Sequence, residues 1–168
     1  MKEKSSFMRL FLMELLNFLT VEFTVMFTAA LPVIELRGAI PVGISLGLSP
    51  FHSAFLSFIG SMIPVPFILF GARPVFNKLR DTKGFKSFIG KLTSSSMAKS
   101  GSIKKYGLWG LFIFVAIPIP GTGVWTGSLI AALMNMRFKW AFPAILAGNL
   151  VAGILIMGVS SGLFKIIT

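Results

Sequence analysis

The residues with the clearest chemical potential in this sequence are charged side chains inside apolar stretches. Glu35 and Arg37 lie two positions apart in an apolar segment rich in glycine and proline. Charges are costly in hydrocarbon and so are candidates for a functional site. An arginine beside unwound backbone amides can bind an anion through its planar set of donors. The alternative is a structural ion pair that holds the segment in shape, and the sequence leaves both interpretations open.

A second pair of acids, Glu14 and Glu22, lies on the first long apolar stretch. The two are eight residues apart with Phe18 between them, a spacing that places all three on one helical stripe. A carboxyl group removed from water can take up and release a proton, so Glu14, Glu22 and Glu35 are the candidates for proton coupling. Alternatively, Glu14 lies near the membrane interface, because Arg9 is only five residues earlier.

The sequence holds few residues that could catalyse a reaction. The chain has one histidine, no cysteine and five acidic residues, which form no convincing triad or metal-ligand set. His52 follows Pro50 at a predicted helix start and fits an interfacial or capping role. We therefore expect no enzyme, no metal and no cofactor.

Composition predicts that these residues lie in a membrane. Of the 168 residues, 55% are hydrophobic and 12% charged, with a mean hydropathy of +0.87. Soluble domains carry roughly 25% charged residues. The prediction is one all-α integral membrane domain over 1–168. The net charge of +11 could suggest a nucleic-acid partner, but the basic residues cluster between the apolar runs, where membrane topology signals lie, so we expect no nucleic acid.

The apolar runs predict about four transmembrane helices: 7–34, 51–71, 106–136 and 140–163. The connection 72–105 holds nine basic residues against one acid, Asp81, which predicts that it is cytoplasmic. The N-terminus, with Lys2, Lys4 and Arg9, is predicted on the same side. Within the connection, apolar residues at helical spacing indicate an amphipathic surface helix, with a flexible linker as the alternative; they are Phe85, Phe88, Ile89 and Leu92.

Two segments, 31–48 and 117–135, are apolar but broken by glycine and proline. Non-helical backbone at membrane depth survives only inside protein or along a wet cavity, so both are predicted to be re-entrant hairpins. One long kinked helix is the alternative for the second. Their positions match at a spacing of 86 to 88 residues, which predicts an internal repeat of halves 7–71 and 106–164.

Paired, interrupted segments of this kind point to a transporter site. The predicted substrate-binding residues are therefore the charges, the glycines, one proline and the polar or aromatic side chains of the two broken segments: Glu35, Arg37, Gly38, Pro41, Gly121, Thr122, Gly123, Trp125 and Thr126.

Two ordered motifs carry a family resemblance. E-L-R-G-A-I-P-V-G over 35–43 and F-V-A-I-P-I-P-G-T-G-V-W-T-G-S-L-I-A-A-L over 114–133 resemble the bacterial small multidrug export family, over about 30–165. That family is similar at a distance to DedA proteins, which are associated with recycling of a polyprenyl phosphate. The resemblance implies a multi-pass protein of the bacterial cell (inner) membrane. DedA-like proteins have acids in the first hairpin and arginines in the second. Here Glu35 corresponds to the acid, whereas the positive charge is Arg37.

The sequence thus favours a transporter or flippase of an amphiphile, with an anionic lipid such as a polyprenyl phosphate as substrate and a proton as the coupling ion. One alternative is a small multidrug exporter of cationic amphiphiles. Another is a membrane scaffold or assembly factor that transports nothing. Membrane lipid is an expected partner. A second copy of the chain is a plausible one, because so few spans can hardly enclose a path.

Overall fold

The structure is a computed structural model that describes residues 2–80, 94, 98, 101–119 and 121–167, and this part of the chain is helical without strands. Its helices are α1 (Lys2–Ala30), α2 (Glu35–Ser45), α3 (Pro50–Met62), α4 (Pro64–Arg80), α5 (Gly101–Ala116), α6 (Val124–Leu133) and α7 (Phe138–Ile167). The predicted surface helix around residues 85–92 and the side chain of Glu14 lie outside the described residues.

Two of the described helical stretches have the length and hydropathy of a membrane span. The first, Pro50–Ala72, combines α3 with most of α4, and the second is Phe138–Gly162 within α7. Shorter apolar stretches lie at Leu19–Ala30 within α1, at Lys105–Ala116 within α5 and at Val124–Leu133, which is α6. The sequence predicted about four spans. The helices of the other two predicted runs, α1 and α5, end at Ala30 and Ala116, close to Pro32 and Pro118, and the arrangement of four spans stays a prediction.

In the first half, α1, α2 and α3 pack side by side. Gly43 of α2 lies against Val25 of α1, and Glu22 of α1 pairs with His52 of α3. Further along, a Cβ on Gly60 would lie 2.3 Å from the carbonyl oxygen of Met26, so α1 and α3 touch through their backbones. Along α1, Glu22 contacts His52, and Met26, further along, contacts Gly60, which is also further along α3. α1 and α3 therefore run in the same direction, and α2 runs back between them.

In the second half α5 and α7 pack as α1 and α3 do, whereas α6 packs chiefly against α4. A Cβ on Gly148 of α7 would lie 2.7 Å from the carbonyl oxygen of Phe112 of α5, just as Gly60 meets Met26. The turns after α2 and α6 also match. The amide of Leu48 donates to Gly43 at 3.0 Å, and that of Met136, 88 residues later, donates to Ala131 at 3.0 Å.

The two halves run in opposite directions. The Asn149 amide donates to Ser61 Oγ at 2.8 Å, and these two residues are themselves 88 positions apart. On one side of this contact, residues 51–58 of α3 and 150–157 of α7 line a common groove. The helices are therefore antiparallel, and equivalent residues meet at the centre, as around a pseudo-two-fold axis.

These directions fix which parts of the chain share an end of the molecule. End one holds the N-terminal part of α1, the turn after α2, and the C-terminal part of α7. End two holds the C-terminal part of α4 and the start of α7, where the rings of Phe70 and Phe138 stack at 4.4 Å. The stretch Pro50–Ala72 separates the N-terminal part of α1 from the C-terminal part of α4, and the predicted cytoplasmic side of each stays a prediction.

Candidate functional site

The polar centre of the molecule lies where the two broken segments meet. We call residues 31–34 tip one and residues 117–123 tip two. Each tip joins a long helix to the start of a short one: α1 to α2, and α5 to α6. Helix N-termini carry unpaired amides and partial positive charge, whereas C-termini carry unpaired carbonyls and partial negative charge. The partly positive N-termini of α2 and α6 and the partly negative C-termini of α1 and α5 thus lie close together at this centre.

Glu35 bridges the two halves through the start of α6. Its side chain is buried, and Oε1 accepts a hydrogen bond from the backbone amide of Trp125 at 3.1 Å. A carboxylate at a helix N-terminus is favourably placed in the field of the helix. Gly123, the residue that caps α6, makes room for it, since a Cβ there would lie 2.0 Å from Glu35 Oε2.

The backbone of Glu35 is strained. Its φ of 50° lies in the left-handed region, which non-glycine residues rarely occupy. Such conformations cost on the order of 1–3 kcal/mol and cluster at functional sites. Glu35 follows the turn that reverses the chain between α1 and α2, so the turn requires this conformation at the residue whose carboxylate reaches α6.

Arg37 makes the converse contact, with the end of α5. Its guanidinium donates to the carbonyl oxygens of Ile119 and Ile117, the latter at 3.2 Å, and to Thr122 Oγ1 at 3.1 Å. A longer bond of 3.5 Å reaches the carbonyl of Val115. Carbonyls at a helix C-terminus have no partner within the helix. Ile117 and Ile119 also accept hydrogen bonds within tip two, from the Ile119 and Thr122 amides, so Arg37 adds a charged donor to a turn that already has its own hydrogen bonds.

Trp125 is the equivalent of Arg37 at a spacing of 88 residues, and it makes the equivalent contact. Its indole Nε1 donates to the carbonyl oxygen of Ala30, the last residue of α1, at 3.1 Å. Each short helix thus sends one side chain across to the end of the other half's long helix. The two contacts tie the tips together in a reciprocal way.

Glu35 and Arg37 do not pair with each other in the structure. Each is described fully, and no salt bridge within 4.0 Å joins them. The ion-pair alternative therefore takes a different form here: both side chains bind the opposite half, Glu35 through amides and Arg37 through carbonyls.

A cleft of about 620 Å³ opens beside these contacts. Polar groups and tip residues share its lining: Pro32, Val33, Ile34, Glu35, Arg37, Gly38, Pro118, Gly121, Thr122, Thr126 and Ile156. Six of the nine predicted substrate-binding residues thus line one cleft. Pro41 lies within α2, Gly123 faces Glu35, and Trp125 lines a different cleft. All nine stay predictions as binding residues.

The glycines of the broken segments predict turns with positive φ or close backbone contacts at Gly38 and Gly121, and only Gly121 lies in such a turn. Gly121 has a φ of 81°, in the left-handed region that a turn uses, as the sequence suggested. Gly38 instead lies inside α2, and a Cβ there would meet the flexible side chain of Ile34 at 2.4 Å. The chain reverses earlier, over 31–34, because Pro32 already disfavours a helical conformation at Leu31.

A second cleft lies between α4 and α6. It has a volume of about 480 Å³ and is lined by Ile63, Pro64, Phe67, Ile68, Gly71, Ala72, Trp125 and Leu129. Ile68 and Trp125 correspond by the 88-residue spacing to Ile156 and Arg37 of the first cleft. We call the first the polar cleft and the second the apolar cleft. Sequence reasoning missed Ile156 and Ile68, since only the internal repeat could have pointed to them.

The other proton-coupling candidates lie apart from the polar cleft. Glu22 Oε1 is 2.7 Å from His52 Nε2, which joins α1 to α3 towards end one. The sequence analysis treated the two separately, because 30 residues divide them. In the described ranges, no three His, Asp or Glu side chains come together in a way that could hold a metal ion.

Comparison with known proteins gives one match. Residues 35–155 match the family model described as "Putative small multi-drug export protein", which covers more than half of the chain. No curated protein and no solved structure matches. The matched range begins at Glu35 and contains both tips' short helices, α2 and α6, as well as the axis at Asn149. By this match, the chain belongs to the small multi-drug export protein family.

Proposed function

We propose that this protein is a membrane transporter of an amphiphilic molecule, whose polar head group binds in the polar cleft between the tips. The observation that carries the proposal is the pair of intramembrane charges, Glu35 and Arg37, lining one cleft at the point where two broken helices meet. Intramembrane charges and interrupted helices both mark substrate paths. The matching family description, an export protein, supports the same class of function.

The proposed placement in the bilayer follows from helix lengths. α2 has 11 residues and α6 has 10. At 1.5 Å per residue each spans about 15 Å, half of a hydrocarbon core of about 30 Å. We therefore infer that the α1–α2 and α5–α6 hairpins are re-entrant, enter from opposite sides, and meet at the midplane. Inverted repeats of this kind bind substrate at the repeat interface.

The surroundings of Arg37 favour an anionic head group. Its guanidinium donates to neutral oxygens of tip two and, at 3.5 Å, to the carbonyl of Val115 in α5. An anionic oxygen is a stronger acceptor than a carbonyl or a hydroxyl, so a phosphate could compete for these donors. The apolar residues of the cleft, such as Val33 and Ile156, suit a hydrocarbon chain. The distant resemblance to DedA proteins suggests a polyprenyl phosphate as the first ligand to try.

Glu35 is the proposed proton carrier. Its carboxylate accepts the Trp125 amide, and protonation would weaken this acceptor. Loss of this hydrogen bond would weaken the contact between the tips. In a proton-coupled transporter, protonation has to change the contacts that hold the two halves together. Glu22, paired with His52, is the second candidate and lies nearer end one.

Transport of lipids with defined head groups tests the proposal. Purified protein in liposomes should move a fluorescent polyprenyl phosphate, and Thr126→Val should slow this several-fold. Thr126 lines the cleft but makes no hydrogen bond to the described residues, so the variant keeps the tip contacts. Thr24→Val, on the outer face of α1, is the matched control. Movement of cationic but not anionic amphiphiles would favour the drug-export alternative, and movement of neither would favour a scaffold.

The basic residues suggest which end faces the cytoplasm. The sequence over 72–105, together with Arg137 and Lys139, contributes eleven basic residues to end two, whereas Lys2, Lys4, Arg9 and Lys165 contribute four to end one. Short cytoplasmic loops are enriched in Lys and Arg. We therefore propose that end two is cytoplasmic and that both termini lie outside, which keeps the predicted side of the connection and reverses that of the N-terminus.

Single cysteines test this orientation, because the native chain has none. In intact cells, a membrane-impermeant maleimide should label Ser45→Cys at end one and spare Lys139→Cys at end two. Both positions are exposed. The reverse pattern would overturn the orientation. Equal labelling of both would contradict the single crossing between them, and with it the re-entrant hairpins.

A further inference from the structure

Exposed basic side chains lie at the starts of α5 and α7. Arg137 and Lys139 lie on either side of the first residue of α7. In α5 the backbone is non-helical at Gly107, so Lys105 lies just ahead of the longer part of this helix. A helix N-terminus carries partial positive charge and favours acidic side chains or anions, but neither helix has an acidic residue in its first turn. The three basic residues therefore add positive charge where a helix favours negative charge.

The starts of the two helices are held at the same end of the molecule, end two. Ile103 of α5 and Ala141 of α7 are fully buried in one hydrophobic cluster, against which Phe138 also packs. Further along both helices, the backbone of Phe112 in α5 lies against Gly148 of α7. The two helices therefore run in the same direction, and the segments that carry the three basic residues are anchored in one cluster.

The chain itself has little to balance this charge. After Glu35 the sequence holds one acidic residue, Asp81, and residues 82–168 hold none. Among the described residues, the ion pair that forms is that of Glu22 with His52, which lies towards end one. Asp81 can offset one positive charge at most, so most of the counter-charge at the starts of α5 and α7 has to come from outside the chain.

Aromatic side chains accompany the basic ones. Trp109 is 74% exposed, and Tyr106 and Trp140 are each 55% exposed. Lys105 Nζ lies 5.1 Å from the centroid of the Tyr106 ring, within the range of a cation–π contact. Tyrosine and tryptophan are enriched at the level of lipid head groups, because their rings are apolar with one polar atom. Fixed positive charge beside such rings suits a molecule with an anionic head and an apolar body.

We propose that this surface binds an anionic phospholipid of the surrounding bilayer, with the phosphate at the starts of α5 and α7 and the acyl chains along the exposed rings. We call it the basic–aromatic surface, and it consists of Lys105, Tyr106, Trp109, Arg137, Lys139 and Trp140. Basic sites between membrane helices bind anionic head groups in this way. The bound lipid supplies the missing counter-charge and stabilises the starts of both helices. The proposal rests on the membrane placement proposed above and not on the substrate of the polar cleft.

Brominated lipids test this proposal, because they quench tryptophan fluorescence at short range and two of the three tryptophans lie on the surface. In detergent micelles, brominated phosphatidylglycerol should quench at lower concentration than brominated phosphatidylcholine. A triple variant, Lys105→Gln with Arg137→Gln and Lys139→Gln, should bind phosphatidylglycerol roughly a hundredfold more weakly. The matched control removes the same charge near end one, by Lys2→Gln, Lys4→Gln and Lys165→Gln, and should bind as the wild type does.

Three outcomes of the quenching experiment would overturn the proposal. Equal weakening in the control set would show that the attraction depends on net charge alone. Unchanged binding by the triple variant would show that these side chains do not hold the lipid. Arg37→Met should keep the quenching, so its loss in that variant would place the lipid in the polar cleft instead.

Stability provides a second readout whose sign separates lipid binding from a structural role. In phosphatidylcholine the triple variant should unfold at the same temperature as the wild type or higher, because like charges are removed from two helix starts. Added phosphatidylglycerol should raise the unfolding temperature of the wild type and not that of the triple variant. In about 1 M salt, where the screening length is about 3 Å, the wild type should lose most of this gain. A salt-independent gain, or a triple variant that unfolds early in both lipids, would overturn the proposal. None of these measurements uses transport, so the two proposals can fail separately.

Discussion

The two short helices, α2 and α6, are built alike but have different chemistry. Both begin at a tip, and both end in a turn closed by an equivalent hydrogen bond. Each also has one side chain that contacts the end of the long helix in the other half. In α2 that side chain is the charged Arg37, and in α6 it is the neutral Trp125. The polar cleft lies between the tips with Arg37 in its lining, and the apolar cleft lies between α4 and α6 with Trp125 in its lining. The repeat thus supplies the geometry, and divergence at equivalent positions concentrates the charge in one half.

A second pair of equivalent positions shows how the halves depend on each other. Glu35 and Gly123 are 88 residues apart and in contact, near the same axis as Ser61 and Asn149. A side chain can occupy the space between the tips from one half only. The first half fills it with a carboxylate, and the second half has no side chain there.

Gly123→Ala should therefore have the largest effect of the changes compared here. The φ of 145° with ψ of −167° is essentially a glycine conformation, and the new Cβ would overlap the Glu35 carboxylate. Strain and overpacking together should cost on the order of 3 kcal/mol of unfolding free energy and abolish transport. Thermal unfolding in detergent and transport in liposomes measure both.

The matched control is Gly158→Ala, in α7, where an added Cβ meets nothing within 4 Å. Alanine should leave the stability unchanged or raise it by up to about 1 kcal/mol through helix propensity. Combining Gly123→Ala with Glu35→Ala should recover part of the stability, because the overlap is removed and the strain at residue 123 remains. A Gly123→Ala variant with the stability and transport of the wild type would show that the tips do not meet through Glu35.

The contrast between Arg37 and Trp125 gives the next largest effect. Trp125→Phe removes one neutral hydrogen bond and should cost about 1 kcal/mol, whereas Arg37→Met removes charge-assisted bonds and should cost about 1.5–3 kcal/mol. We expect Trp125→Phe to keep transport of an anionic lipid and Arg37→Met to lose it. Arg37→Lys should recover only part of the activity, because lysine lacks the planar set of donors.

Stability and transport must be measured on the same preparations to separate the two roles. A double variant, Arg37→Met with Glu35→Gln, removes both charges. If it transports the anionic lipid normally, Arg37 is purely structural and the polar cleft is not the head-group site. If Trp125→Phe and Arg37→Met lose transport equally, both clefts are needed for transport and they do not differ in function.

Local features of the fold could be predicted from the sequence, and long-range ones could not. The breaks after Ala30 and Ala116 follow from the prolines two residues later, and the equal spacing of such features pointed to a repeat. The direction of the halves was not predictable, because it depends on contacts such as that of Ser61 with Asn149, 88 residues away. The side of the membrane on which the N-terminus lies stays a prediction.

The same division applies to the candidate site. Glu35 and Arg37 stood out because charge is rare in apolar sequence. Their partners did not, because Arg37 binds carbonyls some 80 residues further along, and any residue has a carbonyl. Nor could the sequence tell that Gly38 is helical while Gly123 makes room for a side chain, since both are glycines in broken segments.

The smallest expected effect lies at the axis, where the halves are alike. Asn149 donates to Ser61 Oγ, which itself donates to the Phe58 carbonyl at 2.9 Å. Ser61→Ala leaves the Asn149 donor buried and unpaired, whereas Asn149→Ala leaves a cavity but keeps the Ser61 bond. Interhelical hydrogen bonds in membranes average about 0.6 kcal/mol in double-mutant cycles. The two single variants and the double variant should therefore show a coupling near that value.

Transport should be unchanged in all three axis variants, because neither side chain lines either cleft. This separates a contact that holds the halves together from those at the tips that also serve the substrate. A coupling well above about 2 kcal/mol, beyond the largest values known for such bonds, would mean that the axis carries more of the fold than the tips do. Loss of transport with normal stability would mean that the substrate path passes between α3 and α7, and the comparison of the two clefts would then concern the wrong surfaces.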